Sequence, residues 1–152
     1  MKDEKIKKIK NGTVIDHIVG GQALNVLRII GIAREYPKTT VTVAMNVPSG
    51  KIGAKDIVKV EGKELKEDEV DRISLISPNA TINIIRNYEV VDKKSVKMPG
   101  LLEGVLSCDN PNCITHFEKV KSKFVVENKT PIKLRCSYCE RVMGEGEIVK
   151  QF

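Results

Sequence analysis

Apolar and polar positions alternate with two different periods along the first ninety residues. Thr13-Val-Ile-Asp-His-Ile18 is a β-branched run opened by Gly12 and broken by Gly20-Gly21, which predicts a strand. Residues 22–34 carry apolar side chains at 23, 24, 26, 27, 30 and 33, the stripe of an amphipathic helix that Pro37 stops. Val41–Val47 predicts a second strand, closed by the turn formers Pro48-Ser49-Gly50. Residues 56–61 set Ile57 and Val58 among charged neighbours and predict a third strand. Residues 66–76 place Val70, Ile73 and Ile76 on one helical face, with Glu67, Asp68 and Glu69 in the first turn, where the helix dipole favours acidic groups. Pro78 marks the end of that helix. Thr81–Arg86 predicts a fourth strand, Asn87 a turn, and Tyr88–Val91 a further strand or extension.

The resulting order is β-α-β-β-α-β, the split arrangement of ferredoxin-like domains. It predicts an α+β fold in which an antiparallel sheet of four or five strands packs one face on two helices and leaves the other free for a partner. The polar stretch 93–100, with Met98-Pro99-Gly100, predicts the boundary between a domain at 1–98 and a second at 99–152. In the second part, short strands near 101–106, 123–127, 132–135 and 147–149 predict a small all-β domain of the zinc-ribbon or rubredoxin-like kind. The lysine-rich start, with Ile6 and Ile9 three residues apart, reads as a flexible arm or one amphipathic turn.

Four cysteines change this picture most. Cys108 and Cys113 in CDNPNC, then Cys136 and Cys139 in CSYC, give C-x4-C followed by C-x2-C. Zn²⁺ takes four thiolates at tetrahedral corners, and two tight turns can each offer two. Such a site has no open position, so the metal is structural. The same ligands accept iron, as in rubredoxin. Two disulfides have three connectivities, but residues 1–12 carry no apolar leader, and a reducing cytoplasm disfavours them. Redox chemistry of the thioredoxin type needs one C-x2-C and leaves the other pair idle. His116, three residues after Cys113, is a candidate ligand that the four cysteines make unnecessary.

Charge is unevenly placed. Of a net +6, residues 1–98 carry 18 basic and 13 acidic side chains, and residues 99–152 carry 8 and 7. The surplus points to a phosphate-bearing partner of the first domain, although a solvated lysine surface is the commoner meaning. Asp16-His17 with Lys55, Lys59 and Lys93 is a candidate cluster at one edge of the sheet, suited to phosphate and ribose. No 18-residue apolar stretch suits a membrane span, and neither a Gly-rich phosphate loop nor a G-x-S-x-G motif occurs. The residues argue for a binder rather than an enzyme. A basic nucleic-acid-binding zinc protein is the rival, but RNA-recognition sheets stack bases on aromatics of the central strands. Here Tyr36, Tyr88, Tyr138, Phe117, Phe124 and Phe152 all fall outside 41–47 and 56–61.

Six motifs then come in a telling order: Gly12-Thr-Val-Ile-Asp-His-Ile18, Asn46-Val-Pro-Ser-Gly50, Lys55-Asp-Ile-Val-Lys59, Thr81-Ile-Asn83 with Asn87-Tyr-Glu-Val-Val91, Cys108-x4-Cys113-Ile-x-His116, and Cys136-x-Tyr-Cys-Glu140. Over nearly its whole length the chain resembles the regulatory chain of aspartate carbamoyltransferase. The resemblance implies a non-catalytic allosteric chain that binds CTP and ATP, with UTP a further candidate, to control the first committed step of pyrimidine biosynthesis. It implies that Asp16, His17, Lys59 and Lys93 contact the nucleotide, lysine and histidine towards phosphate and Asp16 and Lys59 near ribose or base. It implies that Ile9, Val14, Lys55, Ile57, Asn83, Ile85, Tyr88 and Val90 line the base and sugar pocket, and that Cys108, Cys113, Cys136 and Cys139 hold one zinc per chain. The implied partners are a second copy through the N-terminal domain and the catalytic chain through the zinc domain, two catalytic trimers being bridged by three regulatory dimers in the cytoplasm, with no nucleic acid and no membrane. The arm departs from the bacterial pattern in its lysines, Lys7 and Lys8 lying beside the expected pocket.

Overall fold

The structure, a computed structural model, describes residues 8–50 and 53–152. Residues 1–7, including Ile6 and Lys7 of the expected arm, lie outside the described residues. The chain divides into two compact units, Met1–Val96 and Lys97–Phe152.

In the first unit, strand β1 (Gly12–Val19) leads to helix α1 (Ala23–Ile30), the single-turn helix α2 (Ile32–Glu35), strands β2 (Val41–Ser49) and β3 (Gly53–Glu61), helix α3 (Glu67–Ser74), and strands β4 (Thr81–Arg86) and β5 (Glu89–Ser95). The sheet order is β2-β3-β1-β4-β5, and the pairs β2–β3, β3–β1, β1–β4 and β4–β5 are antiparallel. β1 and β2 run the same way with β3 between them, the split arrangement expected, and β5 adds a fifth strand as a hairpin extension.

Register explains which face is core. Ile15 lies opposite Val58 and Ile82, and Thr13 opposite Val60 and Ile84. All six are buried. Above them pack Ala23, Val26, Ile29 and Ile30 of α1 with Val70 and Ile73 of α3, also buried. The predicted helix over 22–34 is interrupted. Gly31 takes the left-handed conformation (φ 69°) and its N–H bonds back to the carbonyls of Leu27 and Arg28, which closes α1. At the first residue of β1, a Cβ on Gly12 would stand 2.1 Å from the Val60 carbonyl oxygen at φ +142°, so only glycine fits there.

Two buried polar groups fasten this unit. Lys63 Nζ lies 3.3 Å from Glu69 Oε1 and 4.2 Å above the Tyr36 ring centroid, and it donates to the Tyr36 hydroxyl at 3.1 Å. Burial works against the ammonium, but the Tyr36 hydroxyl and Glu69 hold its pKa above the ordinary lysine value. The second group is Asp56, whose side chain is fully buried in β3. Its Oδ2 accepts from the main-chain N–H of Gly21 and Ala23, both at 2.9 Å, and its Oδ1 from Asn46 N–H at 2.8 Å. One carboxylate thus caps the start of α1 from another strand and holds the bulge of β2.

The stretch 93–100 is not all linker: Lys93–Ser95 belong to β5, because their main chain pairs with Thr81–Asn83. In the second unit, β6 (Leu101–Glu103), β7 (Lys123–Lys129), β8 (Ile132–Cys136) and β9 (Val142–Met143) form a sheet in that order, with a 3-10 turn at Ile114–His116 between β6 and β7. Residues 147–149, expected as a strand, lie in helix α4 (Glu145–Val149). Glu147 Oε1 accepts from Gly144 N–H at 2.7 Å, and the single buried position is Ile148, so the turn needs no alternation of apolar residues. Leu102, Leu106, Phe124, Ile132, Leu134, Met143 and Ile148 make the core.

Candidate functional site

The open face of the five-stranded sheet carries the candidate cluster. Antiparallel partners point to the same side of a sheet, so register alone aligns Thr42, Lys59, Val14, Asn83 and Lys93 in one row across all five strands. Lys59 and Lys93 stand three strand spacings apart, about 14 Å of sheet. Below this row, β1 carries a bulge: Asp16 and His17 together face Ile57, between the pairs Ile15–Val58 and Ile18–Asp56. His17 takes φ 57°, and its N–H is held by Asp16 Oδ1 at 2.7 Å. The bulge aims both side chains at one spot. His17 Nδ1 is 3.2 Å from Thr81 Oγ1, and Lys55 Nζ is 3.0 Å from Asp16 Oδ1.

The row above pairs Gly12 with Ile85 and Ile85 with Val90. Asn87 and Tyr88, at φ 52° and 68°, form the two-residue turn between the paired Arg86 and Glu89. Tyr88 N–H donates to the Lys10 carbonyl at 2.9 Å and Asn87 N–H to Asn11 Oδ1 at 3.2 Å, which brings the described end of the arm against this turn. Ile9 is buried there, whereas Tyr88 and Val90 are exposed. Asp16, His17, Lys55 and Thr81 meet directly; Val14, Lys59, Asn83 and Lys93 share a row; Ile57 lies between. Ile9, Ile85, Tyr88 and Val90 gather at the hairpin end. Sequence reading left out Thr42 and Thr81 as side chains of this face, and it left out Asp56 beneath it. Asp56 has a signal: it shares strand parity with buried Val58 and Val60, where a solvated carboxylate does not belong.

The second unit holds the thiol cluster. The sulfurs of Cys108, Cys113, Cys136 and Cys139 all lie within 4.8 Å of one another. Cys108 and Cys139 Sγ are 3.5 Å apart, and Cys113 and Cys136 Sγ 3.7 Å. Tetrahedral zinc with bonds of about 2.3 Å sets its sulfurs about 3.8 Å apart, whereas a disulfide needs about 2.05 Å. All four cysteines are free. Asn110 N–H reaches Cys108 Sγ at 3.5 Å, Thr115 Oγ1 reaches Cys113 Sγ at 3.1 Å, and Arg141 Nε pairs with Asp109 Oδ1 at 3.3 Å to join the two loops.

Burial pushes the Cys108 thiol up to about 12 and raises that of Cys136 as well. At Cys139 burial also opposes the thiolate, but the Arg141 N–H, the Asn110 side chain and the neighbouring thiols outweigh it and bring the value down to about 6. Four thiolates at this separation therefore need a cation to neutralise them, and a divalent ion between four sulfurs fits the donor set. His116 is not among the clustered ligands. It is exposed, and its Nε2 donates to the Cys108 carbonyl at 2.9 Å.

A sheet with one cation-bearing face that the described residues leave largely open, together with a closed four-thiol cluster, defines a chain built for binding and regulation. Two family models match it: the allosteric domain of the aspartate carbamoyltransferase regulatory chain over residues 4–97, and the metal binding domain of the same chain over residues 101–149. Curated relatives named aspartate carbamoyltransferase regulatory chain include those of Pyrococcus horikoshii, 55% identical over 149 residues and 98% of each chain, and Methanocaldococcus jannaschii, 55% identical over 145 residues and 95% of each chain. The chain belongs to the family of aspartate carbamoyltransferase regulatory chains. It is a regulatory rather than a catalytic subunit, with an allosteric and a metal-binding domain. No helix among the described residues is long and apolar enough to cross a membrane.

Proposed function

We propose that the open face of the first unit binds a nucleoside triphosphate, CTP or ATP with UTP a further candidate, and that the thiol cluster of the second holds one zinc ion. The zinc shapes the surface that docks on the catalytic chain of aspartate carbamoyltransferase. In this reading residues 1–98 are the nucleotide domain and pair with a second copy, while residues 99–152 hold the catalytic chain. Three such dimers bridge two catalytic trimers in the cytoplasm, where the assembly controls entry into pyrimidine synthesis.

The observation that carries the nucleotide reading is the register row from Lys59 to Lys93, with Asp16, His17 and Lys55 gathered at the bulge beside it. Lysine supplies point charges for phosphates, Asp16 an acceptor for ribose hydroxyls, and the Asn87-Tyr88 main chain donors and acceptors for a base edge.

Lys93→Ala tests this division. Contacts between a cation and a phosphate contribute roughly 1.5–3 kcal/mol, so CTP affinity is expected to fall by about 10- to 150-fold. Calorimetry of CTP binding reads that loss, and sizing of the mixed complex is expected to show assembly with the catalytic trimer intact. Unchanged CTP affinity removes Lys93 from the site; lost assembly with normal CTP binding reverses the domain roles.

A further inference from the structure

The two cysteine loops are held in different ways. Cys136 ends β8 opposite Phe124, and main-chain bonds surround it: Cys136 N–H to the Arg141 carbonyl and Glu140 N–H to the Cys136 carbonyl, both at 2.9 Å, and Ser137 N–H to the Lys123 carbonyl at 2.8 Å. The loop that carries Cys108 follows β6 and lies outside any strand over residues 104–108. Side chains take over there, one for each of three consecutive carbonyls.

Ser122 Oγ donates to the Leu106 carbonyl, Gln151 Nε2 to the Ser107 carbonyl at 2.6 Å, and His116 Nε2 to the Cys108 carbonyl at 2.9 Å. Gln151 does more than the others. Its Oε1 also accepts from Ser107 N–H at 2.9 Å, so one amide pairs with both main-chain groups of the residue before the ligand, as a neighbouring strand would. Gln151 follows α4, whose Ile148 is buried in the core, and its N–H bonds the Ile148 carbonyl at 3.2 Å.

We propose that Gln151, assisted by His116, is a positioning residue for the metal: a latch that holds Cys108 in ligating position and slows release of the ion. The proposal rests on the four thiols being the metal site. Groups that orient ligands from behind typically change metal affinity by about 10- to 100-fold when removed. The effect belongs to residues 106–108, whose carbonyls are held by single side chains between the main-chain bonds of Gly104 and Cys113, whereas the second loop is ordered by main-chain pairing around Cys136.

The test follows transfer of zinc from the metal-loaded full-length chain to a chelating dye in excess. Gln151→Ala is expected to release zinc about 10- to 100-fold faster than wild type, with His116→Ala also faster and the cobalt-loaded absorption spectrum of both unchanged, since the ligands are the same. Asn128→Ala is the control: it removes a side chain–main chain bond of similar length, 2.9 Å to the Pro131 carbonyl, at the hairpin joining β7 and β8. It is expected to release zinc at the wild-type rate. Equal release by Gln151→Ala and wild type overturns the latch, as does acceleration by Asn128→Ala as large as that by Gln151→Ala, because release would then follow general stability. If Gln151→Ala does not fold, His116→Ala decides by the same comparison. A wild-type chain that holds no metal removes the metal reading and the latch together; a loaded wild type with an equally retentive Gln151→Ala removes the latch alone.

Discussion

Replacing Cys136 with serine is expected to unfold residues 97–152 and leave residues 1–96 folded. The second unit has eight large buried side chains besides its cysteines: Met98, Leu102, Leu106, Phe124, Ile132, Leu134, Met143 and Ile148. A core of this size seldom supplies more than about 3–5 kcal/mol, while a structural zinc contributes roughly 10–16 kcal/mol in small domains. Losing one thiolate at a fully buried position forfeits much of that energy. The first unit draws on its own sheet and the helices packed on it and shares none of the ligands. Metal analysis and amide hydrogen exchange on the full chain check both halves. Slow exchange persisting at Phe124 and Leu134 in a metal-free variant would contradict the expectation.

Asp56→Ala is expected to destabilise the first unit by about 2–4 kcal/mol, a large effect for one exposed-looking charge in the sequence. The substitution leaves the N–H groups of Gly21, Ala23 and Asn46 without their acceptor, two of them at the start of α1. Ala23 is buried, and a buried donor left unpaired costs roughly 1–3 kcal/mol, while the part-buried donors of Gly21 and Asn46 cost less because water reaches them. Asp56→Asn keeps one good acceptor and is expected to lose less. Urea unfolding of the metal-loaded chain, with exchange at α1 amides as a local readout, measures the difference. A midpoint within error of wild type for Asp56→Ala would show that water replaces the carboxylate at no cost.

Much of the first unit was legible because its signals are local. Strand and helix periods, Pro37 and Pro78 as stops, and the position of each strand in the chain led to the split β-α-β order that register then realised. The break at Gly31 was less visible, since the apolar stripe continues through 30 and 33 and only the left-handed backbone separates the two helices. Residues 147–149 were misread because a five-residue helix with one buried side chain has too few apolar positions to show any period. The thiol cluster was legible for the opposite reason: cysteine is rare, and paired spacing is itself the signal.

By itself, then, the sequence determined the β-α-β-β-α-β order of the first unit and the four thiols, since each follows from local propensity, apolar period or ligand spacing. The meeting of Asp16, His17, Lys55 and Thr81 came from a bulge and from pairing between residues up to 65 positions apart, Asp16 facing Thr81. The same holds for Asp56 across three segments and for Gln151 at Ser107. Only tertiary structure decided these. A charged or amide side chain looks the same in sequence whether water or a distant main-chain group satisfies it, and the choice is made by which backbone donors and acceptors folding leaves without a partner.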